Sequence, residues 1–507
     1  MADTDGFLAP QPAYEDFASA YRAGKPQLVW RRVAGDLDTP VSAYLKLSRG
    51  EADTFLLESV EGGEQLGRYS TIGSRPDLVW RASGEQAEIN RTPQSDPCAF
   101  AAEDLPTRAS LDRLLTESEI PLDPETQHRL PPMAAGVFGY FGYDFVRLVE
   151  RLPNRPDDEL GLPDGYFVRP TLLATFDNVK REVILVTPVR PAAGVSAEEA
   201  YEAAGARLDE GLTALATPLP AEAAATTQGG PEPEFTSNMA PEAYCALAER
   251  AKEYIRAGDI FQVVLSQRFS ADYSGDPFFV YRQLRRLNPS PFLFYLNFRP
   301  VSLLGASPEI LVRVRNGDVT IRPIAGTRPR GKTKEEDEAL EAELLADPKE
   351  RAEHLMLLDL GRNDVGRAAE IGSVRPTETF AIERYSHVMH IVSNVTGRLR
   401  KDLRPLDALA AGFPAGTLTG APKIRAMQII DELEPVSRGP YGGCIGYFGA
   451  DGGIDTCIGL RMAVAAEGRI HVQAGAGIVV DSVPEAEHRE CLAKAGALME
   501  AVKRAVG

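Results

Sequence analysis

Residues 311–324 constrain the fold most sharply, because apolar and polar side chains alternate there on both sides of Asn316-Gly317. An Asn-Gly pair accepts the positive φ angles that a two-residue hairpin turn requires, so the flanking runs are expected to pair as antiparallel strands. The same pattern recurs from Cys444 to Val480, where Asp451-Gly452-Gly453 and Glu467-Gly468 divide strand-like runs into a meander. Residues 260–269 are β-branched and aromatic, and shorter runs near 54–59, 137–139 and 183–186 share that character. Helices fill the gaps. Residues 241–257 carry proline in the first turn and Gly258 where the helix should stop, and 333–346 and 348–360 read as two more. Hairpin-connected strands with interspersed helices predict an α+β fold: two packed, mainly antiparallel β-sheets flanked by helices, rather than a doubly wound parallel sheet.

From about residue 214 to 237 the chain is rich in Ala, Pro, Thr and Gly and has no apolar periodicity. This divides it into an N-terminal region (1–215), a linker (216–237) and a C-terminal region (238–507). The net charge of −18, with no basic stripe interleaved with aromatics, excludes nucleic acid as the main ligand. No apolar run approaches the ~18 residues of a membrane-spanning helix, and the first residues lack the basic and apolar segments of a signal peptide. Five widely spaced cysteines form no CxxC pair, which predicts free thiols and a cytoplasmic setting. An anionic substrate would therefore meet positive potential built locally, from a metal, a few Arg or Lys, and backbone N–H groups.

Two helical stretches carry carboxylates three residues apart: Glu350 with Glu353, and Glu487 with Glu490, the latter followed by Lys494 one turn on. Four carboxylates on two helix faces can hold a hard cation such as Mg²⁺. The same spacing also fits a solvated face, and Glu350 fits a capping box behind Asp347-Pro348. Gln473-Ala-Gly475-Ala476-Gly477 ends a strand, with Ser482, Pro484 and Glu485 expected to open the following helix as cap, first-turn proline and N3 acid. Glycines there admit a bound anion close to the backbone, or mark a bulge. Residues 359–364 read as a polar helix end. His387 and His390 lie in a β-branched stretch, where a histidine more often satisfies a strand ladder than a reaction. Gly442-Gly443-Cys444-Ile445-Gly446 fits a nucleophile-elbow pattern that His488 and Glu490 could complete as a glutaminase triad. The strand-like residues after Cys444 argue against it, because the elbow needs a helix there.

Gly305-Ala-Ser-Pro-Glu309, residues 323–331 (PIAGTRPRG), residues 359–364 (DLGRND), residues 385–390 (YSHVMH), Tyr441-Gly-Gly443 and residues 473–477 occur in the order seen in chorismate-utilising enzymes, which the chain resembles from about 240 to 503. Within that family it is similar to the large subunits of anthranilate synthases. Gln262 stands where water-adding relatives carry a lysine base, and Ala325 where C4-aminating relatives carry a lysine that forms a covalent adduct. Ammonia needs no base to become a nucleophile, so both differences point to amination at C2.

The resemblance implies a Mg²⁺-dependent conversion of chorismate and ammonia to anthranilate and pyruvate through aminodeoxyisochorismate, in tryptophan biosynthesis. It assigns catalytic roles to Glu309, as general acid, and to His390 and Thr327. Substrate contacts would come from Gly326, Thr327, Thr417, Tyr441, Arg461, Gly475, Ala476, Gly477 and Lys494. Glu353 and Glu490 match metal ligands, with Glu350 and Glu487 behind them. Residues 56–59 (LLES) and 288–291 (NPSP) resemble a tryptophan-feedback site, implicating Ser59, Pro291, Phe292 and Leu293; Phe292 and Leu293 replace the common Tyr and Met. No glutaminase stretch lies in the 507 residues, so a separate glutamine amidotransferase subunit is expected in a hetero-oligomer, such as a heterotetramer.

Overall fold

The computed structural model describes residues 9–61, 65–219, 223, 225–385 and 388–507. The predicted hairpin forms as strands Ile310–Arg315 and Asp318–Ile321, with Asn316 at φ 52° and Gly317 at φ 80°. Helix Pro241–Ala257 ends in the expected left-handed Gly258. The meander forms as strands Cys444–Gly449, Ile454–Ile458, Met462–Ala466 and Arg469–Ile478. The fold is α+β, with the named strands joined antiparallel into one continuous network.

Two long strands bend that network into two layers. Gln65–Ser83 and Gly165–Asp177 pair along most of their length, and their opposite halves serve different neighbours. Residues 70–73 of the first pair with Thr54–Glu61, which pairs in turn with Phe292–Asn297. That layer continues through Ser302–Ser307, Met462–Ala466 and Arg469–Ile478 to Gln262–Asp272. Residues 165–168 of the second instead pair with Gly136–Phe141. This layer runs on through Cys444–Gly449, Ile454–Ile458 and the 310–321 hairpin to Val388–Arg398. Ladders thus cross the 216–237 stretch twice, binding the two regions into shared sheets.

An apolar core fills the space between the layers. Phe55 of one stacks on Phe138 of the other with ring centroids 4.4 Å apart, and Phe294, Ile445 and Met462 pack beside them. Such ring pairs add about 0.5–1.5 kcal/mol beyond their buried area. Helices cover the outer faces; Pro277–Leu287 and Pro484–Val506 pack on the first layer, and Pro405–Gly412 and Pro348–Ala368 on the second. Among the described residues no helix is long and apolar enough to cross a membrane.

Candidate active site

Glu309 lies in the short link between strands Ser302–Ser307 and Ile310–Arg315. Two backbone bonds of 3.1 Å, from Ile458 N–H to the Glu309 carbonyl and from Ala306 N–H to the Arg461 carbonyl, stitch that link to the turn after Ile454–Ile458. In this turn Arg461 holds φ 47°, a conformation most side chains avoid and one that gathers at functional sites. The Glu309 side chain is buried, and burial pushes its carboxyl up to about 8 against the opposing pull of Thr417, the Ile324 N–H and Arg461. Thr417 Oγ1 donates to it at 3.1 Å from a 3₁₀ turn at Gly416–Leu418. A carboxyl held that high is protonated at neutral pH and can deliver its proton.

His390 is placed by a strand irregularity. Thr327 sits opposite it in the ladder, and the register shifts between Ala325 and Thr327, with Gly326 at φ 71°. A bulge of this kind re-aims the backbone. The Gly326 carbonyl stands 3.0 Å from His390 Nδ1, and Thr327 Oγ1 lies 3.1 Å from the same nitrogen. A carbonyl only accepts, so this network assigns the proton to Nδ1 and leaves Nε2 bare. Burial lowers the imidazole pKa to about 4, so the ring is neutral and its Nε2 lone pair is free to accept a proton. The Tyr385 ring meets it edge-on, 5.4 Å between centroids.

The four glutamates lie on helices Pro348–Ala368 and Pro484–Val506. Asp347 caps the first, accepting from the Lys349 and Glu350 N–H groups at 2.9 and 3.3 Å, but the box stays half-formed, because the Asp347 N–H goes to the Glu343 and Leu344 carbonyls and the Glu350 carboxylate goes to Arg328. Burial raises the Glu353 pKa, and the charges of Glu350 and Glu490 raise it further. Burial likewise raises Glu487, with Glu490 adding to it. The two helices therefore share one negative field. Cations stand against it: Arg328 on Glu350 at 3.1 Å, Lys494 on Glu490 at 2.8 Å, and Lys349 favouring the charged forms of Glu353 and Glu487. Among the described residues no three His, Cys, Asp or Glu side chains stand close enough to hold one ion. An all-oxygen donor set of this kind fits a hydrated hard cation, which takes one or two carboxylates and completes its shell with water and substrate oxygens.

The glycine-bearing strand closes the ring of contacts. A Cβ at Gly477 would stand 2.5 Å from Gln262 Nε2, and one at Gly475 would lie 3.2 Å from the Tyr441 hydroxyl. Gln262 Nε2 reaches Glu353 at 3.4 Å, and Lys494 Nζ donates to the Gly475 carbonyl at 2.9 Å. Ala476 points the other way, into the core beneath helix Pro241–Ala257, so only its backbone is available to a ligand.

Ser59, Pro291, Phe292 and Leu293 are set apart from these groups. They line a cavity of about 1300 Å³ that Glu383 and Tyr385 also line. Ser59 faces Phe292 across a ladder, and the neighbouring buried Glu58 accepts from Tyr281 at 2.6 Å and from Arg285 at 2.7 and 2.8 Å.

Two local expectations are corrected. Residues 359–364 do not end their helix, which runs to Ala368; Asp364 turns inward to Lys423 Nζ at 2.8 Å. Val483, not Ser482, caps the last helix, because the Ser482 hydroxyl accepts the Val479 N–H at 3.0 Å. The nucleophile-elbow alternative fails as the strand-like residues after it implied: Cys444 is a buried strand residue whose thiol burial pushes up to about 12, while the His488 ring faces Tyr244 at 5.6 Å. His387 lies outside the described residues. Sequence reasoning missed Arg328 and the Asp364–Lys423 pair, whose partners are brought in by folding, and Lys349, which its spacing of four from Glu353 on one helix could have flagged. Tyr385 opens the 385–390 motif, and nothing in its spacing marks it as a partner of His390.

A family model described as chorismate binding enzyme matches residues 56–500. Anthranilate synthase component 1 of Cereibacter sphaeroides is 53% identical over 495 residues, spanning 97% of this chain and 98% of that one. The Thermus thermophilus component 1 is 49% identical over 470 residues, spanning 93% and 96%. Among solved structures, anthranilate synthase component I from Streptococcus pneumoniae matches with a TM-score of 0.75 and 37% identity, over 92% of this chain and 98% of that one. The menaquinone-specific isochorismate synthase of Escherichia coli matches with a TM-score of 0.67 at 18% identity, over 97% and 99%, a likeness of fold alone.

Proposed function

The chain belongs to the chorismate-binding enzymes, among the component 1 chains of anthranilate synthase, and on that footing we propose that it converts chorismate and ammonia to anthranilate and pyruvate by way of aminodeoxyisochorismate. The observation that carries this reading is a pair of oppositely tuned groups: a buried Glu309 carboxyl that holds its proton and a buried His390 imidazole that lacks one at Nε2. Environments that push two titratable groups apart in this way suit an acid and a base in one reaction.

In the first step ammonia adds at C2 and the ring double bonds shift as the C4 hydroxyl leaves. Glu309 supplies the proton that turns this hydroxyl into water, with Thr417 fixing its carboxyl. In the second step the C2 proton is lost to base, the bond to the enolpyruvyl oxygen breaks, and the methylene carbon gains a proton as pyruvate departs. His390 Nε2 is suited to that proton transfer, with Thr327 and Gly326 holding the ring by its other nitrogen. Arg461, buried beside Glu309, would receive the enolpyruvyl carboxylate through a two-pronged bond. Tyr441, Gly475 and Gly477 would line the other side of the ring. Gln262, set against Gly477 and Glu353, offers no base to water.

Glu353 and Glu490 would hold Mg²⁺, with Glu350 and Glu487 behind them, and the ion would supply charge to grip a substrate carboxylate. Ammonia would come from a glutamine amidotransferase subunit. Tryptophan would bind in the interlayer cavity, its ring among Pro291, Phe292 and Leu293, and inhibit. Purified chain incubated with chorismate, Mg²⁺ and ammonium should generate anthranilate fluorescence, and His390→Ala should abolish it or stall at the amino intermediate. Formation of only isochorismate or a C4-aminated product would sink the reading.

A further inference from the structure

We infer that Tyr385 is a positioning residue for His390 and the wall through which the interlayer cavity acts on it. The inference rests on the proposed roles of His390 and of that cavity. Tyr385 is a side chain the two spaces share: its ring meets the imidazole edge-on at 5.4 Å, and, like Glu383 opposite His390 in the ladder, it lines the cavity that Ser59, Pro291, Phe292 and Leu293 line. It is 7% exposed, so the partition is one aromatic ring thick.

The backbone here is pinned while the side chain is tethered only at its tip. Tyr385 N–H donates to the Val388 carbonyl at 2.8 Å, and Arg330 Nη1 holds the Tyr385 carbonyl at 2.7 Å. Arg330 and the adjacent Arg384 both clasp Asp337, at 2.8 and 3.0 Å. The phenol hydroxyl donates to Glu383 Oε2 at 2.8 Å, and Glu383 is paired with Arg322 at 2.6 Å. Glu383 and Arg322 both line the cavity. A cavity ligand that engages Arg322 or Glu383 therefore changes the tether of a ring whose other edge limits how the imidazole turns about its Nδ1 anchor. The response expected is rotation of the ring, since the Tyr385 N–H and carbonyl are both held.

The ring and the hydroxyl then carry separable duties, which two substitutions isolate. Tyr385→Ala removes the ring and should lower kcat by about tenfold or more, an effect on positioned proton transfer, with the KM for chorismate little changed. Tyr385→Phe restores the ring and should recover most of that loss. It lacks the tether to Glu383, so L-tryptophan should still bind it by calorimetry yet inhibit it several-fold less than it inhibits the wild type. Thermal unfolding of both variants separates misfolding from repositioning, and recovery by Phe is a readout that a packing defect at the hydroxyl would not give. Wild-type turnover in the Ala variant, no recovery with Phe, or undiminished inhibition of the Phe variant would overturn the inference. A wild-type chain that makes no anthranilate would overturn the proposed function instead. If it makes anthranilate without binding tryptophan, coupling by that ligand falls and the turnover arms still decide positioning.

Discussion

Replacing Glu309 with glutamine keeps the shape of the side chain and removes its proton chemistry, and the structure sets both the kinetic and the thermodynamic consequence. Burial raises this carboxyl from 4.5 to about 8, which corresponds to roughly 4–5 kcal/mol between its two protonation states. The folded chain binds this proton more tightly than the unfolded chain. The resulting stabilisation is complete below about pH 4.5 and is lost progressively as pH climbs through about 8. Glutamine has no such dependence. Unfolding free energies should therefore shift by roughly 4–5 kcal/mol in favour of Glu309→Gln on going from acid to alkaline buffer. In turnover the variant should lose roughly 10²- to 10⁴-fold, the usual worth of a placed general acid. Wild-type kcat/KM for chorismate should fall above an apparent pKa near 8. The assay is anthranilate fluorescence, with total ammonium adjusted at each pH to hold free ammonia constant. A Glu309→Gln enzyme within about tenfold of wild type, or one that retains the alkaline limb, would refute the assignment.

Other substitutions test the surroundings. Asp364→Asn leaves the buried Lys423 ammonium without its 2.8 Å partner and should cost about 3–5 kcal/mol in urea unfolding; joint replacement of both by apolar residues should recover most of it, and equal losses would contradict the pairing. Gly477→Ala meets only the flexible end of Gln262 at 2.5 Å, whereas Gly420→Ala, at φ 126°, meets the Gln262 carbonyl at 2.1 Å. The first should unfold within about 1 kcal/mol of wild type and the second should be several-fold more destabilised than that. Glu353→Gln should weaken Mg²⁺ binding in the presence of chorismate by roughly tenfold or more, read by calorimetry; unchanged binding would remove this residue from the proposed ligand set.

What could be read from the sequence was local. Asn316-Gly317 and Gly258 announce themselves because the backbone angle they supply is a property of one or two residues. The carboxylate pairs were visible because a helix repeats every few residues. What could not be read depends on partners brought from afar. The 359–364 segment looked like a helix end because its charges suggested water, yet Asp364 is balanced by a lysine 59 residues away. Ser482 looked like a cap, but its hydroxyl was taken by the preceding turn. The position of Glu309 and His390 in recognised motifs gave their identity. Their tuning arises from burial and from a bulge at Gly326, and that bulge exists only once residues 324–329 have paired with residues 388–398.

The strand Thr54–Glu61, seated between Gln65–Ser83 and Phe292–Asn297, makes the two halves of the chain unable to part cleanly. A protein cut within 216–237 would leave its C-terminal fragment with two bare edges, at Phe292–Asn297 and at Cys444–Gly449. Such edges recruit foreign strands, so the fragment alone is an aggregation hazard rather than a minimal enzyme. The same cut makes a natural split point for fragment complementation: the two pieces, refolded together, would each supply the strands that cover the other's edges.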